Sequence, residues 1–152
     1  MTRANARELA IHLIYCRCFT EDEPKEVVDL RLKKDYYLNL SDENQVYSQL
    51  PNAAQKAYLH TVVSGVASRE QELDNIIQEY SIGWDISRIS KLARSVMKLA
   101  IFEMQYMEDV PVGVAISEAV RIAKLYDGDD TGAFINGILG AYGRSLNAEV
   151  QK

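Results

Sequence analysis

The sequence predicts an all-α protein. Two observations support this fold class: apolar residues recur every three to four positions through most of the chain, and no segment alternates apolar and polar residues as a half-buried strand would. With 152 residues, 47% of them hydrophobic, the chain has the length of a single domain and enough apolar surface to bury a core. No internal repeat or low-complexity tract interrupts this pattern.

The first helix is predicted from Arg3 to about Cys18. A second row, spaced by four residues, consists of Arg3, Arg7, Ile11 and Tyr15 and adjoins the apolar stripe. Such a row is typical of a solvated arginine pair with a tyrosine at the edge of the core, and it is also a surface on which two guanidinium groups and a phenol can act together. The residues alone leave both interpretations open. The apolar stripe that predicts the helix comprises Ala6, Leu9, Ala10, Leu13 and Ile14.

The region 20–50 is the least regular part of the chain. A short helix is predicted over about 24–34, and the polar stretch 40–45 is predicted to be a loop or lengthened connection rather than a separate domain. We assign no chemistry to this region. The residues predicted to be buried by the short helix are Val27, Val28 and Leu30, with Leu32 as a further candidate.

Two helices are predicted between Asn52 and Tyr80. Asn52 is a suitable N-cap for the first, and Ser68 marks the join to the second. The predicted core face comprises Tyr58, Leu59, Val62, Val63, Val66, Leu73, Ile76 and Ile77.

The longest helix is predicted from Ile86 to about Met107, with Asp85 as its N-cap. Glu103 falls on the apolar side of this helix, where an ionised carboxylate needs a hydrogen-bond donor or a cation as its partner. The sequence shows no candidate general base beside it, so a structural role for Glu103 is favoured over a catalytic one. The opposite side is a basic stripe of Arg88, Lys91, Arg94 and Lys98. The apolar side contains Ile89, Leu92, Val96, Leu99 and Ala100.

A helix hairpin is predicted from Asp109 to Leu139. Pro111 suits the opening of its first helix, Gly128 the turn, and Thr131 the cap of its second helix. The predicted core residues are Val114, Ala115, Ala119, Ile122 and Ala123, followed by Phe134, Ile135, Ile138 and Leu139.

The hairpin turn is rich in aspartate, which raises the question of a calcium loop. If Asp127 is counted as the first ligand, Asp129 is the third, but the twelfth position holds Ile138 where a bidentate glutamate is needed. The spacing therefore argues against calcium.

Composition gives little support for an enzyme. The two histidines, His12 and His60, lie in no nucleophile motif, and no phosphate-binding glycine loop is present. Cys16 and Cys18 are two residues apart in a helical segment, so a mutual disulfide is disfavoured, and with His12 they lack the second ligand pair of a zinc site. We expect no catalytic residues, no metal and no cofactor.

The net charge of −5 argues against a protein that holds nucleic acid by overall attraction. The charge is uneven, however: residues 1–20 carry three arginines against one glutamate, and residues 85–107 carry four basic residues against two acidic ones. The chain has no apolar run long enough to span a membrane and no signal-peptide pattern at its start, so we expect a cytoplasmic protein.

Three blocks of sequence resemble the NusB family of bacterial transcription antitermination factors. In chain order they are ARELAIHLIY, similar to the first helix of that family, SKLARSVMKLAIFEM, similar to its central helix, and VPVGVAISEAVRIAKLY followed by TGAFINGIL, similar to its C-terminal signature. Together they cover most of the chain except the region 20–50.

The resemblance implies a fold of two three-helix subdomains, with about seven helices in all. We place the subdomains at about 1–80 and 85–147 within one domain of residues 1–152. The family binds the boxA element of ribosomal RNA leader transcripts together with NusE, a ribosomal small-subunit protein. That complex helps RNA polymerase to resist termination, and the family needs no cofactor.

Carried over by position, the resemblance predicts an RNA-binding surface. Many members have an unbroken arginine run before the first helix, whereas Ala4 and Asn5 lie between the arginines here, so we expect weak RNA binding by the protein alone and stronger binding with NusE. Ala93 stands where the family often has an acidic residue, which affects the protein-partner surface. The predicted RNA-binding residues are Arg3, Arg7, Tyr15, Tyr80, Lys98, Asp130 and Phe134.

Two other functions are compatible with the sequence. One is a stand-alone relative of the RNA-binding domain of a ribosomal RNA cytosine methyltransferase, although 152 residues leave no room for a cofactor-binding domain. The other is a helical structural protein that self-associates, for example as a homodimer, through its basic stripe and first helix.

Overall fold

The computed structural model describes the backbone of residues 1–150 and the side chains of residues 1–147. The described chain contains eight α-helices and no strand, so the predicted all-α class is confirmed, with one helix more than the seven expected. The helices are α1 Arg3–Cys16, α2 Pro24–Arg31, α3 Lys34–Asn39, α4 Ala53–Ser68, α5 Glu70–Tyr80, α6 Lys91–Tyr106, α7 Val112–Asp127 and α8 Asp129–Val150.

The helices form two compact units, Met1–Ser68 and one that begins at Arg69. In the first unit α4 packs against α1 and α2, and in the second α7 packs against α6 and α8. Helix α5 belongs to the second unit because it packs on α6 and α8. The sequence-based division differs here, since it placed the segment up to about 80 with the first subdomain.

The first unit has the predicted core of α1 and α4, and local polar side chains cap the N-terminal end of each of these helices. The Thr2 hydroxyl accepts a hydrogen bond from the Asn5 amide at 3.1 Å and caps α1. Asn52 is confirmed as the cap of α4, because its side chain accepts from the Gln55 amide while the Gln55 side chain accepts from the Asn52 amide, each at 2.9 Å. These N-terminal caps set the residue at which each helix, and with it the apolar face of that helix, begins.

Helix α2 is shorter than predicted. It ends at Arg31, and although Val27 and Val28 are buried, Leu30 is 49% exposed, so its prediction as a core residue is wrong. A helix of two turns buries only one narrow face against α4. The segment 40–45, predicted as a loop, contains one 3₁₀ turn, Leu40–Asp42, and reaches the first residue of another, Gln45–Ser48.

The central helix of the second unit, α6, begins later than predicted, and the prediction that it is the longest helix is wrong because α8 is longer. Residues Ile86–Arg88 form a separate 3₁₀ turn, and α6 starts at Lys91, where the Ser90 hydroxyl accepts a hydrogen bond from the Ala93 amide at 3.1 Å. Asp85 therefore caps the 3₁₀ turn instead of α6. Glu103 is fully buried, as its place on the apolar side predicted.

The predicted helix hairpin is formed by α7 and α8, with Gly128 between them at φ +92°. This conformation is strained for other residues, which explains a glycine at this point. Two details of the prediction are wrong: Val114 is 44% exposed, and Thr131 lies inside the first turn of α8 instead of capping it. Over the described residues, no helix is long and apolar enough to cross a membrane.

Candidate nucleic-acid interface

The second unit has an open cavity of about 320 Å³ beside the α7–α8 turn. The loop before α6, the first turn of α6 and the start of α8 each supply part of its wall. Two of the predicted RNA-binding residues, Asp130 and Phe134, therefore lie on one surface. The lining residues are Trp84, Arg88, Ile89, Ser90, Ala93, Asp127, Asp130, Thr131 and Phe134.

Two aromatic rings form one corner of this cavity. The centroids of Trp84 and Phe134 are 5.6 Å apart and their planes meet at 64°, an edge-to-face pair. Trp84 is 51% exposed and Phe134 is half-buried. The corner thus presents aromatic surface to solvent, which is the surface on which an unstacked base can pack.

The charged groups at the cavity have mixed signs. The Arg88 side chain is exposed on one side, and the Asp127 and Asp130 carboxylates are exposed on the other. The Thr131 hydroxyl donates to the Asp127 carboxylate at 2.9 Å, which orders that carboxylate, whereas the Asp130 carboxylate remains exposed to solvent. A cation can hold a phosphate here, and carboxylates can accept hydrogen bonds from the amino and imino groups of bases.

Lys98 is buried and forms ion pairs within the protein. Its buried ammonium group lies 3.1 Å from the Glu70 carboxylate and 3.2 Å from the Asp74 carboxylate, so its charge is balanced within the second unit. Tyr80 is half-buried, with its ring edge-to-face with Tyr142 at 5.7 Å. Neither residue lines the cavity, and RNA contact by either stays a prediction.

The three predicted residues of the first unit lie along α1 in different environments. Arg3 is exposed, and its guanidinium carbon lies 4.5 Å from the centroid of the Tyr58 ring, a cation–π contact. Arg7 is only 5% exposed, so the row is not a solvated arginine pair. Tyr15 is 37% exposed and packs edge-to-face against Phe19 at 5.2 Å. Of the two arginines, Arg3 is the one whose charge is accessible.

A polar network occupies the core side of the first unit. Arg31 donates to the Tyr47 hydroxyl at 2.6 Å and to the Cys16 sulfur at 3.0 Å, and the Tyr47 hydroxyl lies 2.9 Å from His12 Nδ1. The Tyr47 hydroxyl can serve as donor or acceptor toward Nδ1, and the nearby Arg31 guanidinium disfavours a second positive charge on the imidazole. Burial, and secondarily the Arg31 charge, lower the pKa of His12 to about 4, consistent with this arrangement.

No set of three or more potential metal ligands comes together among the side chains that the structure describes. Cys16 and Cys18 are both free thiols. The His12 imidazole is engaged with Tyr47 and the Cys16 sulfur with Arg31, so the polar groups near these cysteines bind one another.

Sequence reasoning missed Trp84 as a candidate residue and placed Arg88 on the wrong element. A signal for Trp84 was available, since it is the single tryptophan of the chain and follows Gly83 in a connection between helices. A large aromatic residue in such a connection is a candidate for binding rather than core packing. The position of Arg88 depended on where α6 begins, which helical periodicity did not reveal.

Comparison with known proteins gives a consistent result. The family model described as "NusB family" matches residues 4–144. The transcription antitermination protein NusB of Acetivibrio thermocellus is 40% identical over 92% of this chain and 87% of that protein. The NusB of Natranaerobius thermophilus is 34% identical over 97% of this chain and 98% of that protein.

Solved structures share the fold. T. maritima NusB has a TM-score of 0.78 at 25% identity, covering 95% of this chain and 92% of that one. A chain from a crystal structure of the antitermination factors NusB and NusE in complex with dsRNA has a TM-score of 0.73 at 21% identity, covering 94% of this chain and 96% of that one. At that identity the second likeness concerns the fold alone.

Proposed function

Because the chain belongs to the NusB family, we propose that it is a transcription antitermination factor that binds boxA-type RNA of ribosomal RNA leader transcripts together with NusE. Family membership over most of the chain carries this proposal. The protein would act in the cytoplasm as a component of the RNA polymerase antitermination complex and as a binding module without chemistry of its own.

The cavity beside the α7–α8 turn supports single-stranded RNA as the ligand. Single strands expose the faces and edges of their bases, and the cavity offers an aromatic corner for stacking with carboxylates for base edges. Arg88 on its rim is the cation suited to an adjacent phosphate. Asp130 and Phe134 are therefore the first RNA contacts that we assign, with Arg3 as the accessible cation of α1.

Charge limits the affinity of the protein alone. The chain carries a net charge of −5, the cavity has two carboxylates for one arginine, and Arg7 and Lys98 are buried. Few phosphates can then be neutralised, so binding to RNA alone is expected to be weak and NusE to strengthen it.

An RNA titration tests the proposal. Labelled boxA RNA and a scrambled RNA are each titrated with the native protein, with and without NusE. Phe134→Ala is compared with Leu125→Ala, which removes a 62% exposed side chain from α7 of the same unit. We expect preference for boxA in the presence of NusE and a loss of about tenfold for Phe134→Ala only. Equal affinity of the ternary mixture for boxA and scrambled RNA would contradict the proposal.

Light scattering tests a homodimer as the alternative. The molar mass is measured at low and high protein concentration and again after addition of boxA RNA. A mass of one chain at all concentrations supports the proposed binding module, whereas a dimer that RNA does not dissociate supports the self-associating structural protein.

A further inference from the structure

The loop that carries Trp84 is held by one surface side chain, Gln78 of α5. The Gln78 amide nitrogen donates to the Trp84 carbonyl at 2.7 Å, and its amide oxygen accepts from the Ile86 backbone amide at 2.9 Å. A single side chain thus satisfies one donor and one acceptor of the loop backbone. Gln78 itself is exposed, so packing in the core does not explain these bonds.

Other local interactions bend the same loop toward a single conformation. The Trp84 amide donates to the Ser81 carbonyl at 3.0 Å, which closes a turn around Gly83 at φ +84°. The Asp85 carboxylate accepts from the Ser87 amide at 2.9 Å and starts the 3₁₀ turn that carries Arg88. Gln78 connects these two turns, because its two bonds lie on either side of Asp85.

The conformation keeps two large apolar side chains of the loop in contact with water. It leaves Ile82 90% exposed and Trp84 51% exposed, although both side chains gain from burial. Trp84 retains one ring contact, with Phe134, at the 64° angle that makes the two rings adjoining walls of the cavity. A base stacked on one ring would meet the edge of the other, which increases its contact without requiring either ring to move.

We propose that Trp84 is a base-stacking residue of the RNA interface and that Gln78 is its positioning residue. This inference rests on the proposed function, because RNA is the ligand that it assigns. It adds a second aromatic wall to Phe134 and gives the loop 81–88 a role in binding. Gln78 acts through the Trp84 carbonyl and the Ile86 amide, and it does not contact RNA in this arrangement.

The chain offers a matched control for Gln78. Gln71 is also exposed on α5, but its amide nitrogen donates to the Asn75 side chain at 2.8 Å, within the same helix. Gln78→Met and Gln71→Met therefore remove the same amide from the same helix. Only the first substitution releases the Trp84 loop.

Two readouts separate the role of the loop from general stability. Because Trp84 is the single tryptophan, its fluorescence reports on the loop without a label. In the absence of RNA, acrylamide should quench Trp84 more strongly in Gln78→Met than in the native protein or Gln71→Met, at an unchanged unfolding midpoint. With NusE and labelled boxA RNA, we expect affinity losses of about tenfold for Trp84→Ala and about threefold for Gln78→Met, and little loss for Trp84→Phe or Gln71→Met.

Each result decides a different point. If the native protein with NusE does not prefer boxA RNA to scrambled RNA, the proposed function fails and this inference fails with it. If the native protein shows that preference and Trp84→Ala binds equally well, the stacking role of Trp84 is overturned. If Gln78→Met retains both native affinity and native quenching, the positioning role is overturned while the proposed function stands.

Discussion

The two units use their polar side chains in opposite ways. In the first unit, Arg31, Tyr47, His12 and Cys16 bind one another at buried and half-buried positions. In the second unit, the cavity beside the α7–α8 turn leaves an arginine and carboxylates exposed next to an aromatic corner. An arginine or a tyrosine therefore indicates binding only when its partners lie outside the fold.

The physical reason is the cost of an unpaired buried polar group. A buried donor or acceptor without a partner costs more than a satisfied one contributes, so a network in a core is built to be complete. The polar groups of a binding surface need no partner within the protein, because water hydrates them until the ligand replaces it. Four measurements test this contrast, in order of decreasing expected effect.

Tyr47→Phe should have the largest effect on stability, about 3 kcal/mol, because it removes the oxygen that joins Arg31 to His12. Urea unfolding measures the free energy, and the affinity for RNA should be unchanged. Tyr36→Phe is the control, since the Tyr36 ring is 52% exposed. A loss for Tyr47→Phe no larger than for the control would mean that the network contributes little.

Low pH should lower the free energy of unfolding of the native protein because His12 becomes protonated. Its pKa is lowered to about 4 in the folded state from an ordinary value of 6.5, so the unfolded chain binds the proton more readily. The free energy of unfolding is therefore highest above pH 6.5, where His12 is neutral in both states. It falls as the pH is lowered toward 4, by about 2 kcal/mol at pH 5. Urea unfolding at several pH values should show this slope in the native protein and in His60→Gln, and a reduced slope in His12→Gln.

Lys98→Met should lower the free energy of unfolding by about 1.5 kcal/mol, because the Glu70 and Asp74 carboxylates lose their common cation. The RNA-binding measurement is the sharper test. If Lys98 is structural, the dependence of affinity on salt stays unchanged, whereas a phosphate-binding lysine would reduce the slope by about one. Lys56→Met, at an exposed position of α4, is the control for both measurements.

Arg88→Gln should have the smallest effect, about a threefold loss of RNA affinity, with a salt dependence lower by about one released counterion. Stability should not change, since the Arg88 side chain is exposed. Arg144→Gln removes another exposed charge of the second unit and should leave affinity nearly unchanged. Equal losses for the two variants would indicate a general effect of charge instead of a phosphate contact at the cavity.

The sequence by itself determined the helices with long apolar stripes. The periodicity of α1, α4 and α7 placed them correctly because burial of an apolar face selects 3.6-residue spacing whatever the neighbouring helices are. Local hydrogen bonding determined the Asn52 cap in the same way. The hairpin turn followed from Gly128 and the apolar residues on either side of it. Asp130 and Phe134, which the family resemblance assigned to RNA, line one cavity at this turn, and their contact with RNA stays a prediction.

Only the tertiary structure decided which polar residues were available for binding. Arg7 and Lys98 appeared as accessible cations in helical rows, yet one is buried and the other is paired with carboxylates from α5. The start of α6 at Lys91 depended on the Ser90 cap, and the position of Trp84 depended on a side chain six residues away, Gln78. Burial, ion pairing and bracing of this kind arise between segments, so no periodicity within one segment can reveal them.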